Sequence, residues 1–176
     1  GRAGIIVPEG IIFQTGTAYK ELRKQLVDKA LVGVISLPAG VFNPYAGVKT
    51  SILILDKKLS KKKDLIFFAD VKNDGFDLGS QRKQIKANDL PEVVNSFKEF
   101  ILSNSKVHTI EKSEILSSND IGLSKNRYLK IVRNENISYK KIGDVLDVFN
   151  GSTPLRKDKS YWEGGDIPWF TIDDIR

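Results

Sequence analysis

Between Leu37 and Asp56 the chain reads L-P-A-G-V-F-N-P-Y-A-G-V-K-T-S-I-L-I-L-D, which brings two aromatics, Phe42 and Tyr45, close to a lysine, Lys49. A turn punctuated by Pro38, Gly40, Pro44 and Gly47 is stiff, so it holds its rings in fixed directions. A ring face stacks on another flat ring and an ammonium neutralises phosphate, so such a rim suits a nucleobase and its backbone. A second reading fits the same residues: Phe42 and Tyr45 close the hydrophobic core and Lys49 is solvated.

The remaining chemistry is limited by residue type. Cysteine is absent and His108 is the single histidine, so no disulfide framework, cysteine zinc site or histidine metal cluster can form. Asp173 and Asp174 are adjacent carboxylates with no partner group in the pattern, and no acid-base or metal role is assigned to them. Twenty-eight Lys and Arg against 22 Asp and Glu give a net charge of +6, which favours a polyanionic partner through counterion release. Five of the seven residues from Lys57 to Lys63 are lysine, read here as an exposed turn. Apolar runs such as Ile52 to Leu55 are strand-sized, far short of the roughly 18 to 20 residues of a membrane span. Gly1-Arg2-Ala3-Gly4 carries neither an initiating Met nor a secretion signal, so the chain is expected to begin inside a larger cytoplasmic protein.

The elements that must position the rim follow from periodicity. Ala3 to Val7 is a short apolar strand ended by Pro8 and Gly10. A helix capped by Thr15 or Thr17 then runs to about Ala30, with Leu22, Leu26 and Ala30 inward and Lys20, Glu21, Arg23 and Lys24 toward water. Leu31 to Leu37 and Val48 to Leu55 are two further strands. The loop between them has about ten residues and no helical pattern, too short for a parallel crossover, so the two strands are expected to pair antiparallel. Asp64 to Val71 is another strand. A helix starts at Asn88-Asp89-Leu90-Pro91 and runs to about Leu102, with Val93, Val94, Phe97, Phe100 and Ile101 as its apolar stripe. Composition changes near residue 136: Ser138 to Asn150 reads as a strand or short helix, and Gly151 to Arg176 is rich in Gly, Pro, Trp and Tyr.

G-R-A-G-I-I-V-P-E-G at the start and the L-P-A-G-V-F to V-K-T-S-I-L-I-L-D stretch together resemble the C-terminal half of the catalytic domain of type I restriction-modification adenine-N6 DNA methyltransferases. Glu114 to Leu129 is similar to the segment with which those domains end. The resemblance implies a Rossmann-like α/β sheet for S-adenosylmethionine with a reversed last strand. Ala3 to Val7, Leu31 to Leu37 and Val48 to Leu55 would be its fifth, sixth and seventh strands. It implies methyl transfer from S-adenosylmethionine to adenine in double-stranded DNA, in a bacterial cytoplasm, together with restriction and specificity subunits. Phe42 would stack on the extruded base and Lys49 would contact phosphate. Asn43-Pro44-Tyr45 looks like the family's catalytic N-P-P-Y or N-P-P-F motif but lacks its second proline and follows the wrong strand. The true motif and the cofactor loop are therefore expected upstream of Gly1, with no catalytic residue in this chain.

Tyr139-Lys140-Lys141-Ile142-Gly143-Asp144-Val145, Asn150-Gly151-Ser152-Thr153-Pro154 and Gly165-Asp166-Ile167-Pro168-Trp169 resemble the opening of an α+β target-recognition domain from type I specificity subunits, starting with a strand at K-I-G-D-V. The turn would offer Ser152 and Thr153 to phosphates, while Trp162 and Trp169 would be core. The expected organisation is therefore residues 1–136 for the methyltransferase part and 137–176 for the recognition part. The alternative is a DNA-binding or subunit-assembly segment without activity.

Overall fold

The computed structural model describes residues 1–103, 107–128, 140–147, 155 and 157–166, and it divides into two compact units, Gly1–Ile131 and Val132–Arg176. The boundary expected at 136/137 lies outside the described residues.

The first unit is built on a five-stranded sheet. β1 (Arg2–Pro8), β2 (Leu31–Ser36), β3 (Thr50–Asp56), β4 (Leu65–Asp70) and a short β7 (Thr109–Glu111) stand in the order β1-β3-β2-β4-β7. β3 is inserted between β1 and β2 and runs antiparallel to both, pairing Ile5 with Leu53 on one side and Val34 with Leu53 on the other. The reversal expected from loop length is present. β2 and β4 are parallel, so β1, β2 and β4 all deliver their carboxyl ends to the same rim. A separate hairpin, β5 (Asp74–Phe76) and β6 (Gln84–Asn88), follows β4.

Alternation along the strands gives the sheet two different faces. Val34, Leu53 and Phe68 share one face with Ile66, Val27, Ile12, Ile115 and Leu123, forming the main core beneath α1 (Glu9–Phe13), α2 (Thr17–Lys29) and α5 (Lys112–Ser117). On the other face, Phe67 meets Phe97 and Phe100 of α4 (Leu90–Leu102), with ring centroids 5.3 and 5.9 Å apart. Gly33 makes that approach possible: a Cβ there would lie 3.2 Å from Phe97 Cε2 and 3.5 Å from Ile54 Cδ1. Toward β1 the same face is open. Ile35, Ile52, Ile54, Phe97 and Ile101 line an apolar groove there, and Ile5 and Ile6 of edge strand β1 are 46% and 54% exposed.

Four expectations are corrected. Lys57 to Lys63 is not a turn: Lys57–Lys62 forms a helical turn, α3, because the Asp56 carboxylate accepts the backbone N–H of Lys58 and Leu59. Those same bonds, Leu59 first, hold the Asp56 carboxyl below its ordinary pKa. Neither Thr15 nor Thr17 caps α2, whose N-cap is Gly16 with no side-chain bond. The buried stripe of α2 is turned by one residue: Arg23 and Val27 are inside and Leu22 is exposed. In α4 the stripe is narrower than expected, since Val94 and Ile101 are exposed and Phe100 is fully buried.

Arg23 is the reason for the turn of α2. Its side chain has no accessible surface, and it donates through Nε to Ile121 O at 2.7 Å, through Nη1 to Ile11 O at 2.9 Å, and through Nη2 to Gln14 O and Asp120 O at 2.8 and 2.6 Å. Desolvation lowers its pKa, but a guanidinium supplies enough donors in one plane to satisfy all four carbonyls.

In the second unit, Ile142–Asp144 and Lys159–Tyr161 are short 3₁₀ turns. The strand expected at K-I-G-D-V is therefore a turn over its described residues, the short-helix alternative. Trp162 is 37% exposed rather than core, with its indole N–H on Leu155 O at 3.1 Å. Ser152, Thr153 and Trp169 lie outside the described residues.

Two substitutions test this packing. Arg23→Met leaves four carbonyls without their shared donor and should cost on the order of 3 kcal/mol or more, at about 1 to 3 kcal/mol per buried unsatisfied group; Arg23→Lys should recover only part. Urea unfolding reads this directly, and an Arg23→Met midpoint equal to the parent's would refute the assignment. Gly33→Ala should cost about 1 to 3 kcal/mol by overpacking, and Phe97→Leu should restore part of it; simple additivity of the two changes would exclude the proposed contact.

Candidate functional site

Open α/β sheets bind ligands beyond the carboxyl ends of their strands. Here that rim collects Glu9 after β1, Ser36 at the end of β2, Asp70 at the end of β4, and Lys49, Thr50 and Ser51 at the start of β3. The reversal of β3 is what brings its first residues to this side. Glu9 is locked in place from two directions. Its N–H donates to Lys49 O at 3.1 Å, and its carboxylate takes Lys49 Nζ at 3.3 Å and Ser51 Oγ at 3.4 Å. Ser51 Oγ lies 3.5 Å from Ser36 Oγ, continuing the polar chain across β3 to β2.

Thr50 stands at the same strand end and is 6% exposed, yet its Oγ1 has no hydrogen-bond partner among the described residues. A buried hydroxyl left unsatisfied costs about 1 to 3 kcal/mol. A polar residue at that cost beside a ligand-binding rim is an element of a site as much as of a core.

The aromatic loop rises from this rim. Leu37 N donates to Thr50 O at 2.9 Å, closing its base, and Gly40 adopts φ +86°, where a Cβ would come 2.9 Å from Asn43 Nδ2. Phe42 O accepts from Tyr45 N and Ala46 N at 2.9 and 3.0 Å, which folds residues 42–46 into a tight turn. Phe42 is half-buried at the base of this turn, and Tyr45 is 95% exposed at its tip. The two aromatics thus differ, whereas composition treated them alike. Asn43 is engaged elsewhere, donating from Nδ2 to Leu78 O at 2.6 Å. Lys49 is half-exposed and paired with Glu9.

Phe42 and Lys49 are therefore brought to one rim, and Ser152 and Thr153 lie outside the described residues. Sequence reasoning missed Glu9, Thr50 and Ser51. The available signal was polarity at a strand end: two hydroxyls opening an otherwise apolar strand, and a carboxylate directly after Pro8. His108, the single histidine, is exposed, has φ +58°, and places Nδ1 3.0 Å from Lys125 Nζ. Among the described residues no group of three or more His, Asp or Glu is placed to hold a metal ion.

Comparison with known proteins agrees with this geometry. The family model described as N-6 DNA Methylase matches residues 1–136. The chain is 37% identical over 87 residues to the type I restriction enzyme EcoEI methylase subunit of Escherichia coli, a match covering 49% of this chain and 17% of that protein. It is 58% identical over 36 residues to the type I restriction enzyme MjaIX specificity subunit of Methanocaldococcus jannaschii, covering 20% of this chain and 8% of that one. Among solved structures, the type I restriction-modification methyltransferase subunit from Streptococcus thermophilus aligns with a TM-score of 0.53 and 26% identity over 74% of this chain and 27% of its own. The chain thus spans well under a third of the length of the methylase subunits it matches. A five-stranded sheet with a reversed strand, an aromatic loop at the carboxyl-end rim and a family match over 136 residues lead to one assignment: the chain belongs to the N-6 DNA methylase family.

Proposed function

We propose that residues 1–136 are the C-terminal part of a type I adenine-N6 DNA methyltransferase domain and that residues 137–176 begin a DNA target-recognition segment. The observation that carries this reading is the aromatic loop between β2 and the reversed β3, standing on the rim of a sheet from this family. The open edge of β1, with Ile5 and Ile6 exposed, supports a sheet that continues with upstream strands. The match to a specificity subunit over 36 residues supports the recognition segment, since the family model stops at residue 136.

The parent enzyme would transfer a methyl group from S-adenosylmethionine to adenine N6 in double-stranded DNA, working with specificity and restriction subunits in the bacterial cytoplasm. No helix among the described residues is long and apolar enough to cross a membrane. Among the described residues no glycine-rich turn joins a strand to a helix N-terminus, and the residue after β1 is a carboxylate, Glu9. The cofactor loop and the catalytic tetrapeptide belong to the upstream part in this reading.

The work of this chain is to receive the base. An adenine methylated inside a duplex has to leave the stack, at a cost of a few kcal/mol, and an aromatic face repays about 1 to 3 kcal/mol of it. Phe42 is the residue assigned to that stacking, because its turn is closed by two hydrogen bonds to its own carbonyl. Lys49 is the phosphate contact, with Glu9 holding the ammonium until DNA arrives. Thr50 Oγ1 supplies a further hydroxyl to the same rim.

In the intact enzyme with tritiated S-adenosylmethionine and unmodified DNA, label should appear on adenine; label-free DNA would end the methyltransferase reading. Phe42→Ala should lower kcat/KM roughly 5- to 150-fold, the equivalent of about 1 to 3 kcal/mol of stacking, with unchanged thermal stability. Thr50→Val should leave stability unchanged or raise it by about 1 kcal/mol while reducing methylation; undiminished methylation would remove Thr50 from the site.

A further inference from the structure

The hairpin of β5 and β6 stands outside the main sheet. It forms a two-stranded sheet separate from the main one, and every residue of β6 is exposed. Two strands alone are marginal in water, so the cost of keeping this hairpin ordered calls for a reason. Its turn is held firmly. Arg82 sits at φ +49°, pairs with the Asp74 carboxylate, donates from Nη1 to Asp77 O at 2.7 Å and lies 5.6 Å from the centre of the Phe76 ring. A non-glycine residue in that conformation is strained, and such strain persists where surroundings fix it for a purpose.

Charge indicates the purpose. The carboxylates of this region are turned to internal bonds. Asp74 is used by Arg82, Asp77 Oδ1 accepts the N–H of Gly79 and Lys83 at 3.1 Å each, and Asp89 Oδ2 accepts the N–H of Lys72 and Asn73 at 2.8 Å each. The Asn73 and Lys72 bonds hold the Asp89 carboxyl below its ordinary pKa, so it stays anionic and occupied. Lys83 and Lys86 are exposed on the same hairpin, and Gln81 and Gln84 stand beside them as neutral donors. Each of these two lysines carries a solvent-facing ammonium that can pair with a phosphate.

Position relative to the rim is also fixed. Leu78, in the hairpin loop, accepts the amide of Asn43, and its Cβ lies 3.6 Å from where a Cβ on Gly40 would sit. The basic hairpin is therefore tied to the aromatic loop through two residues of that loop. Proteins that extrude a base must grip the backbone beside it, and phosphate contacts fix register without reading sequence.

We propose that the β5–β6 hairpin is a second DNA contact of the target-base site, with Lys83 and Lys86 on phosphates flanking the extruded adenine. This rests on the methyltransferase reading. The test uses the intact enzyme, fluorescence anisotropy with a labelled 30-base-pair mixed-sequence duplex across 50 to 200 mM salt, and tritiated S-adenosylmethionine with kilobase unmodified DNA. Lys83→Gln with Lys86→Gln should reduce the slope of log affinity against log salt by about 1.8, at about 0.9 per phosphate contact, with an unchanged melting temperature. Arg at both positions should keep the wild-type slope. An unchanged slope in the Gln pair, while wild-type enzyme still methylates DNA, overturns the hairpin contact alone. Wild-type enzyme that transfers no label overturns the reading beneath it. A slope lost equally in the Arg pair also overturns the proposal, because charge would then not be the cause.

Discussion

Four backbone carbonyls converge on the guanidinium of Arg23, and the first unit is assembled around that convergence. The carbonyls come from α1, from the link between α1 and α2, and from the turn at 120–121, so one side chain on α2 joins segments nearly a hundred residues apart. Burying a cation without partners is prohibitive, whereas burying it with its donors matched to carbonyls replaces water at little net loss. Leu123 N adds a bond to Ile12 O at 2.9 Å across the same junction. The consequence reaches the site: α1 begins at Glu9, so the clamp that fixes α1 also fixes the carboxylate that holds Lys49 and Ser51.

The inserted strand β3 is the second constraint. Because it runs against both neighbours, its first residues share a rim with the last residues of β1 and β2, and the connection from β2 has to turn back on that rim. A connection of some thirteen residues at a crowded strand end becomes a compact turn with glycine at φ +86° rather than a free loop. That geometry separates the two aromatics, leaving Phe42 half-buried and Tyr45 in solvent. Apolar area is also distributed unevenly. The face carrying α1, α2 and α5 is closed over β2, β3 and β4 and leaves only Ile5 of edge strand β1 exposed among the core-facing residues of these strands named above, while the opposite face is covered by α4 only over β2 and β4.

The basic character of the chain acquires a location in this arrangement. Much of it is neutral in effect: Lys49 is paired with Glu9, Arg82 with Asp74, Arg127 with Asp120, and Arg23 is buried. The lysines of α3 flank the apolar groove rather than the rim, as Lys58 and Lys62 line it. Lys112 is drawn in as well, donating to Ser60 O and Oγ at 2.6 and 2.9 Å, and burial lowers its pKa. Arg23 and Lys112 are thus turned away from any polyanion, and the exposed lysines of the hairpin beside the rim gain importance.

Apolar runs and loop lengths determined β1 to β4, the helices at 17–29 and 90–102, and the reversal of β3, because those features follow from local periodicity and the reach of a short connection; β5, β6, β7 and α5 are too short to carry a periodicity and were not legible. The aromatic loop was legible for the same reason: its glycines and prolines declare a turn wherever they occur. The sequence alone also carried the family resemblance over residues 1–56 and 114–129, and the family model extends it across 1–136. Tertiary structure decided the inward turn of Arg23, since a charged residue on a helix reads as solvated until carbonyls from a distant segment arrive to meet it. It decided that Asp56 converts a lysine run into a helix, and that Glu9 after β1 becomes a neighbour of Thr50 and Ser51 on β3. Contacts between residues forty or a hundred positions apart have no local signature, and they are where the site and its supporting clamp were made.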